Sequence, residues 1–310
     1  LLKAEEIERE RGVVIEEINM YEDMPMRNVG EVFEETLFGR HALARPVIGT
    51  KENISHFPRE TILRYLKRQY RAGSIVACLA GDVDPAEGFA ILRRALQTFP
   101  AGHAAPASPF RKQFGRERVH VRGKNTDQTH VVIGAPGVSA LHRDRPAVDL
   151  LAVILGGGMS SRLFLEVRER RGLAYAVRTS PDYLVDTGYV ATQAGLDTTK
   201  LLDACRVILR EHARLRETRV SNAELNKARE FLKGRLLIAI EASDEVAQFA
   251  ALQEVLLDRI LTPDDIFRRL DAVEPSDVQR VAQRAFAGRQ FRLAAIGPAL
   301  PEKELSHLLS

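Results

Sequence analysis

Two segments of this 310-residue chain repeat one another, and the repeat limits what it can fold into. Residues 57–81 (FPRETILRYLKRQYRAGSIVACLAG) and 273–297 (VEPSDVQRVAQRAFAGRQFRLAAIG) share an acidic helix start, then arginines at Arg64/Arg280 and Arg68/Arg284. An aromatic follows at Tyr70/Phe286, and then an apolar strand ending in glycine. The offset from Gly81 to Gly297 is 216 residues (297 − 81). Solenoid units recur every 20 to 50 residues or so, whereas a period this long marks a duplicated domain. The chain is read as α+β, two copies of one domain, each a mostly antiparallel sheet packed against helices.

Residues 100–114 (PAGHAAPASPFRKQF) are rich in Ala, Pro and Gly and have no periodicity, which is the signature of a linker. The division is therefore 1–99 for the first domain, 100–116 for the linker and 117–310 for the second. The counterpart of Glu117 would lie at 117 − 216 = −99, so the first domain is expected to be only partly present, as its C-terminal half. The chain also opens on Leu1 rather than methionine, within a helix already under way, and is expected to lack the natural start.

The second copy reads in full. Strands at 118–121 and 129–135 lead to helices at 145–155 and 161–171, the latter stopped by Gly172. Strands at 174–179 and 189–193 follow, with Asp186-Thr187-Gly188 as turn chemistry between them. Helices are expected over 198–217, 221–242, 244–257, 263–272 and 275–287, with Ser221 and Thr262 as N-caps, and a last strand over 291–296.

Composition excludes several classes of function. The 45 basic and 42 acidic residues are interspersed and leave a net charge of +3, too little for long-range attraction to nucleic acid. The densest basic stretch, Arg116 to Lys124, alternates as a strand with one charged face and is read as a solvated edge. No window approaches the roughly 18 uninterrupted apolar residues of a membrane span. Cys78, in the apolar strand 75–80, and Cys205, in a helix, are read as small buried hydrophobes. No two of the eight histidines have ligand spacing on one helix, so each is assigned to the surface, a loop or a cap.

Glu10 and Glu17 are the chain's most pointed chemical feature. At 100° per residue they project within about 20° of each other, on the side of the first helix that carries Ile7, Val13, Val14, Ile18 and Tyr21. Carboxylates among aliphatic side chains are protonated, paired with a base, or bound to a metal. Two ion pairs with arginines are the alternative to metal or catalytic chemistry. Shifting the pair by 216 lands on Asn226 and Lys233, so the acids belong to one copy only, which favours chemistry on the first domain.

Taken together, several segments resemble the pitrilysin/insulinase family of zinc metallopeptidases, in its processing-peptidase-like bacterial branch. They are Glu8-Arg-Glu-Arg-Gly-Val-Val-Ile-Glu-Glu17, Arg45-Pro-Val-Ile-Gly49, Tyr70 to Asp82, and Leu155-Gly-Gly-Gly-Met-Ser-Ser-Arg-Leu-Phe164, continuing to Arg168-Glu-Arg-Arg-Gly-Leu-Ala-Tyr175. The similarity covers essentially the whole chain. It implies a first-domain helix carrying His-x-x-Glu-His, whose imidazoles bind zinc while its glutamate activates water. It further implies Glu17 as the third ligand and Glu10 as a second acid supporting the metal site. In the second domain it implies Arg168 and Tyr175 as a pair reaching the substrate. A guanidinium can hold a peptide carbonyl or carboxylate, and a phenol can donate to a developing oxyanion. The alternative is that Arg168 complements the helix end and Tyr175 is a strand core residue. Gly156-Gly157-Gly158 is followed by no Gly-Lys-Ser/Thr and is read as a tight entry into the helix near Ser161. By resemblance it is also a short form of a substrate-handling loop.

His-x-x-Glu-His occurs nowhere in the chain. The expectation is a fragment of a zinc-dependent endopeptidase that cleaves extended peptides or unfolded protein segments, inactive as it stands. The alternative is a non-catalytic partner subunit, or a homologue of a structural core protein, that binds an active subunit. A homodimer or a heterodimer with a related chain is expected. The residues leave the compartment open, with bacterial cytoplasm or periplasm as a guess.

Overall fold

The computed structural model describes residues 2–111 and 113–310. The helices are α1 Ala4–Glu22, α2 Pro25–Phe38, α3 Lys51–His56, α4 Arg59–Gln69, α5 Pro85–Leu96, α6 Arg145–Gly156, α7 Leu201–Glu217, α8 Asn222–Ala239, α9 Ser243–Leu257, α10 Pro263–Asp271, α11 Pro275–Ala285 and α12 Glu302–Leu308. The strands are β1 Val119–Gly123, β2 Thr129–Pro136, β3 Ala174–Tyr183, β4 Gly188–Leu196 and β5 Arg292–Gly297.

The repeat is visible in the element boundaries. α4 and α11 begin and end at positions related by the 216-residue offset, and so do the 3₁₀ turns Ala72–Ser74 and Gly288–Gln290. α1 and α8, α2 and α9, and α5 and α12 follow one another in the same order. Among the described residues, β1, β2, α6, β3, β4 and α7 have no earlier counterpart.

The chain forms two compact units. One joins the stretch ending at Ile18 to Ile48–Pro109 and Gly234–Asp264; the other joins Asn19–Val47, Phe110–Lys233 and Asp265–Ser310. These divisions cut the chain at other places than the 1–99 and 117–310 boundaries read from the repeat.

The larger unit is built on a five-stranded sheet of order β1-β5-β2-β4-β3. β1 is parallel to β5 and every other pairing is antiparallel. Because side chains alternate across a strand, the central strands β5, β2 and β4 each serve two cores. Val131, Ile133, Leu293 and Ala295 face Leu150, Leu151, Leu155, Ile208 and Ala282 of α6, α7 and α11. Val132, Ala191, Ala294 and Ile296 face Val29, Val32, Phe33, Leu37 and Phe38 of α2. Each large side chain so buried stabilises the fold by roughly 1.5–3 kcal/mol. Phe110, in the expected linker, is buried here too, edge-on to Phe38 at 5.5 Å between ring centroids.

Polar bonds tie the rim of α2 to the sheet. Tyr189 Oη donates to Glu34 Oε1 at 2.7 Å, Arg122 Nη2 to Glu35 Oε2 at 2.5 Å, and Lys124 Nζ to Asp23 Oδ1 at 2.8 Å. The basic strand is thus an edge strand, as expected, but Arg122 and Lys124 are engaged with the α2 region rather than only solvated.

The smaller unit is helical, and among its described residues only Ile7, Ile18 and Gly88 are fully buried. Arg11 holds α1 to the end of α3, donating to the carbonyls of Ile54 and of Phe57, the latter at 3.0 Å. The strand expected over 75–80 is not one here. Ile75 is extended (φ −117°, ψ 128°), but the residues after it pair with no other strand among those described, and a strand exists only through its ladder. Cys78 is consequently half-buried, while Cys205 on α7 is fully buried as expected.

Candidate functional site

Glu10 and Glu17 lie on α1 with both side chains exposed, and among the described residues neither is paired. This corrects the expectation of carboxylates inside an apolar face. The buried stripe of α1 runs through Ile7 and Ile18, and at 100° per residue the two acids project about 60 to 80° away from Ile7. Among the described residues no three His, Cys, Asp or Glu side chains are grouped to hold a metal. A catalytic zinc takes three protein ligands. The described residues therefore do not by themselves fit a zinc ion, and Glu17 with Glu10 is at most one side of such a site.

Arg168 and Tyr175 are placed by two irregularities of the backbone. After the glycine run, Ser161 Oγ donates to Gly158 O at 2.6 Å, and Arg162 fixes the new helix to α8 through Glu224 at 2.7 and 2.8 Å. The helix then widens into a π turn over Phe164–Glu169, where a regular helix was expected. Arg168 sits on this turn, its guanidinium 4.9 Å from the centre of the Phe164 ring and half exposed. Gly172, at φ +57°, ends the turn by donating to Arg168 O at 3.0 Å. β3 begins two residues later, and its register against β4 shifts between Ala174 and Ala176. Tyr175 is the bulged residue and is 68% exposed, so it is not a strand core residue. π turns and β-bulges are over-represented at functional sites because each re-aims a side chain.

The glycine run works by close approach rather than by unusual backbone angles. A Cβ on Gly156 would lie 2.4 Å from Thr179 Oγ1 and 2.5 Å from Thr179 N, so only glycine lets the end of α6 rest on β3.

Three polar clusters, of which His212 lies deepest, escaped the sequence reading. His212, assigned there to the surface, a loop or a cap, is fully buried on α7. Its Nδ1 donates to Ile208 O at 2.7 Å, and its Nε2 lies 3.3 Å from Thr192 Oγ1, which is 2.8 Å from Thr179 Oγ1. Burial pushes this imidazole down to about 4. Asp149 on α6 accepts from Tyr183 Oη at 2.7 Å, and burial pushes its carboxyl up to about 6. Glu34 and Asp182 flank the Tyr189 phenol, and burial raises both. The threonines occupy inward positions of β3 and β4, which is a usable signal. The partners of Asp149 and Glu34 come from elements far apart in sequence and leave none.

Comparison with known proteins places this geometry. A family model described as the peptidase M16 inactive domain matches residues 56–232. An uncharacterized zinc protease of Streptomyces coelicolor is 33% identical over 99% of this chain and 68% of its own length. The crystal structure of a peptidase M16 inactive domain from Pseudomonas fluorescens shares the fold, with a TM-score of 0.86 at 19% identity over 96% of this chain and 72% of that one. A chain of complex III2 from Candida albicans does so with a TM-score of 0.80 at 17% identity, over 97% of this chain and 74% of that one. With a family model covering more than half of its residues and a relative matched over nearly its whole length, the chain belongs to the M16 peptidase family.

Proposed function

We propose that residues 1–310 form part of a zinc-dependent endopeptidase of the processing-peptidase type, acting on extended peptides or unfolded protein segments, with Arg168 and Tyr175 as its substrate-handling pair. The observation that carries this reading is that both residues are presented to solvent, one by a π turn and one by a β-bulge. The Tyr175 phenol donates to the oxygen that gains charge as water adds to the scissile carbonyl, and Arg168 holds a neighbouring carbonyl or carboxylate. β3 is a ten-residue edge strand that begins at this pair, and an extended peptide adds to such an edge through main-chain hydrogen bonds. Glu17 is this chain's metal ligand and Glu10 its supporting acid in the complete protein. Among the described residues no helix is long and apolar enough to cross a membrane. The working assembly on this reading is a homodimer or a heterodimer with a related chain.

Tyr175→Phe in the complete protein should lower turnover by about 100-fold or more while zinc content stays the same; unchanged turnover removes Tyr175 from the mechanism. Residues 1–310 alone should neither bind zinc stoichiometrically nor hydrolyse peptides, and finding both would overturn the reading of this chain as a fragment.

A second reading, a non-catalytic partner subunit, is favoured by the inactive-domain description of the matching family model and by the shared fold with a complex III2 chain. Sequencing the coding region before Leu1 separates the two. A His-x-x-Glu-His there supports the peptidase; a longer coding region without it supports the partner subunit.

A further inference from the structure

The side chains of the edge strand β3 divide into two rows. Ala174, Val177 and Thr179 are buried on the side of α6, while Tyr175, Ala176, Arg178, Ser180 and Asp182 are exposed on the opposite face. The bulge puts Tyr175 and Ala176 together in the outer row, so Arg178 is the first charged position after Tyr175. α2 packs on this face over β2, β4 and β5, and among the described residues β3 contributes nothing to that core.

Half of the β3 backbone faces away from the sheet. At the turn into β4, Leu184 N donates to Thr187 O at 3.0 Å. Bonded and non-bonded pairs alternate along an antiparallel ladder. By the register of β3 on β4, Val177, Thr179, Pro181 and Tyr183 fall at non-bonded pairs and turn their backbone groups outward. Pro181 has no N–H to offer there, and a proline facing outward from an edge strand blocks long strand pairing. The usable edge runs over 175–180, which suits a short extended peptide and not the full length of β3 from a second copy.

Charge decides what that peptide carries. Among the described residues Arg178 has neither a hydrogen-bond nor an ion-pair partner. Opposite it on β4 is Gln193, which donates to Met26 O, and the diagonal positions are Ala191 and Gly195, so no carboxylate is within the ladder's reach. Asp182, further along the row, is engaged beside the Tyr189 phenol and Glu34, and burial raises its carboxyl. Arg178 is therefore the charged group of the outer row left to a partner.

We propose that Arg178 is a specificity-determining residue: an extended peptide paired along 175–180 places an aspartate or glutamate opposite Arg178, about three residues from the carbonyl that Tyr175 meets. Residues opposite one another on paired strands share a face with their Cβ atoms about 5 Å apart. A guanidinium at that distance closes on a carboxylate with two parallel hydrogen bonds. The inference rests on the peptidase reading for the role of Tyr175, while the open edge and its charge need no zinc.

End-blocked, internally quenched peptides carrying one Glu or one Lys at each position in turn test it on the complete polypeptide encoded by the gene. Cleavage gives kcat/KM, and anisotropy in the presence of a chelator gives Kd for the uncut peptides. At one position, Glu should be favoured over Lys by about 10-fold in both measurements, and the ratio should shrink at high salt. Arg178→Gln, which keeps the length of the side chain, should level the ratio, and Arg178→Glu should invert it, with both variants melting as the wild type does. A ratio that neither substitution changes overturns the inference, and cleavage without any charge preference does so while leaving the peptidase standing. Binding that favours Glu and depends on Arg178, without cleavage, sinks the peptidase and keeps the inference; neither binding nor cleavage sinks both. A change of oligomeric state in Arg178→Glu with an unaltered ratio would name a second copy as the occupant and overturn the inference too.

Discussion

Arg280 closes on Asp144 with both terminal nitrogens of its guanidinium, Nη1 2.7 Å from Oδ2 and Nη2 3.0 Å from Oδ1. The bond to Arg280 holds the Asp144 carboxyl below the usual carboxylate range. Asp144→Ala should destabilise the chain by about 2 kcal/mol in urea unfolding at pH 7, less than a fully buried pair because Arg280 remains partly solvated. A folded-state value below that of the unfolded chain contributes stability present above about pH 4 and lost as pH falls through the folded value. The wild type should therefore lose part of its margin over the variant below pH 4; a constant margin would show that the pair does not titrate.

Asp149 and His212 should oppose one another between pH 6 and 4. With His212 held near 4, the unfolded chain takes a proton below about pH 6.5 that the native state refuses, so stability falls on acidification. With Asp149 raised to about 6, the native state takes its proton first, so stability rises over the same window. Each slope reaches ~1.4 kcal/mol per pH unit, and Glu34 and Asp182 lean the same way as Asp149. Asp149→Asn should expose a loss of stability from pH 6 to 4 that the wild type conceals. Unfolding midpoints at four pH values decide this, and a variant with the wild-type profile would refute it.

Two glycine substitutions should move stability in opposite directions. Gly156→Ala drives a methyl into the Thr179 backbone and should cost about 2–3 kcal/mol. Gly12 lies inside α1 with nothing within 4 Å of a built Cβ. Gly12→Ala should gain about 0.5–1 kcal/mol, and a thermal melt of each reads both signs.

Arg168→Ala and Tyr175→Phe should leave the melting of residues 1–310 nearly unchanged, within about 1 kcal/mol, because neither side chain is buried. Arg162→Ala should cost more, about 1–3 kcal/mol, since it leaves the half-buried Glu224 carboxylate without its two bonds. Equal effects from all three would mean that the π turn is not anchored through Arg162.

Much of this protein follows from local chemistry, and that part was legible in the residues alone. β2, β5, α6 and α11 lie within a few residues of where strand alternation, Pro at the first helical turn and closing glycines put them, because period, caps and turns act over neighbours in sequence. The 216-residue repeat reappears in the matching bounds of α4 and α11 for the same reason. Other features depend on residues distant in sequence, and only the tertiary structure decided them. Residues 75–80 carry strand chemistry yet stay unpaired among the described residues, since a ladder needs a second chain segment. Glu10 and Glu17 share a helix side with aliphatic residues yet stand exposed, since helical phase gives direction and packing gives burial. The π turn under Arg168 and the bulge under Tyr175 arise where a helix must meet a glycine stop and a strand within eight residues, a fit between elements that no single segment encodes.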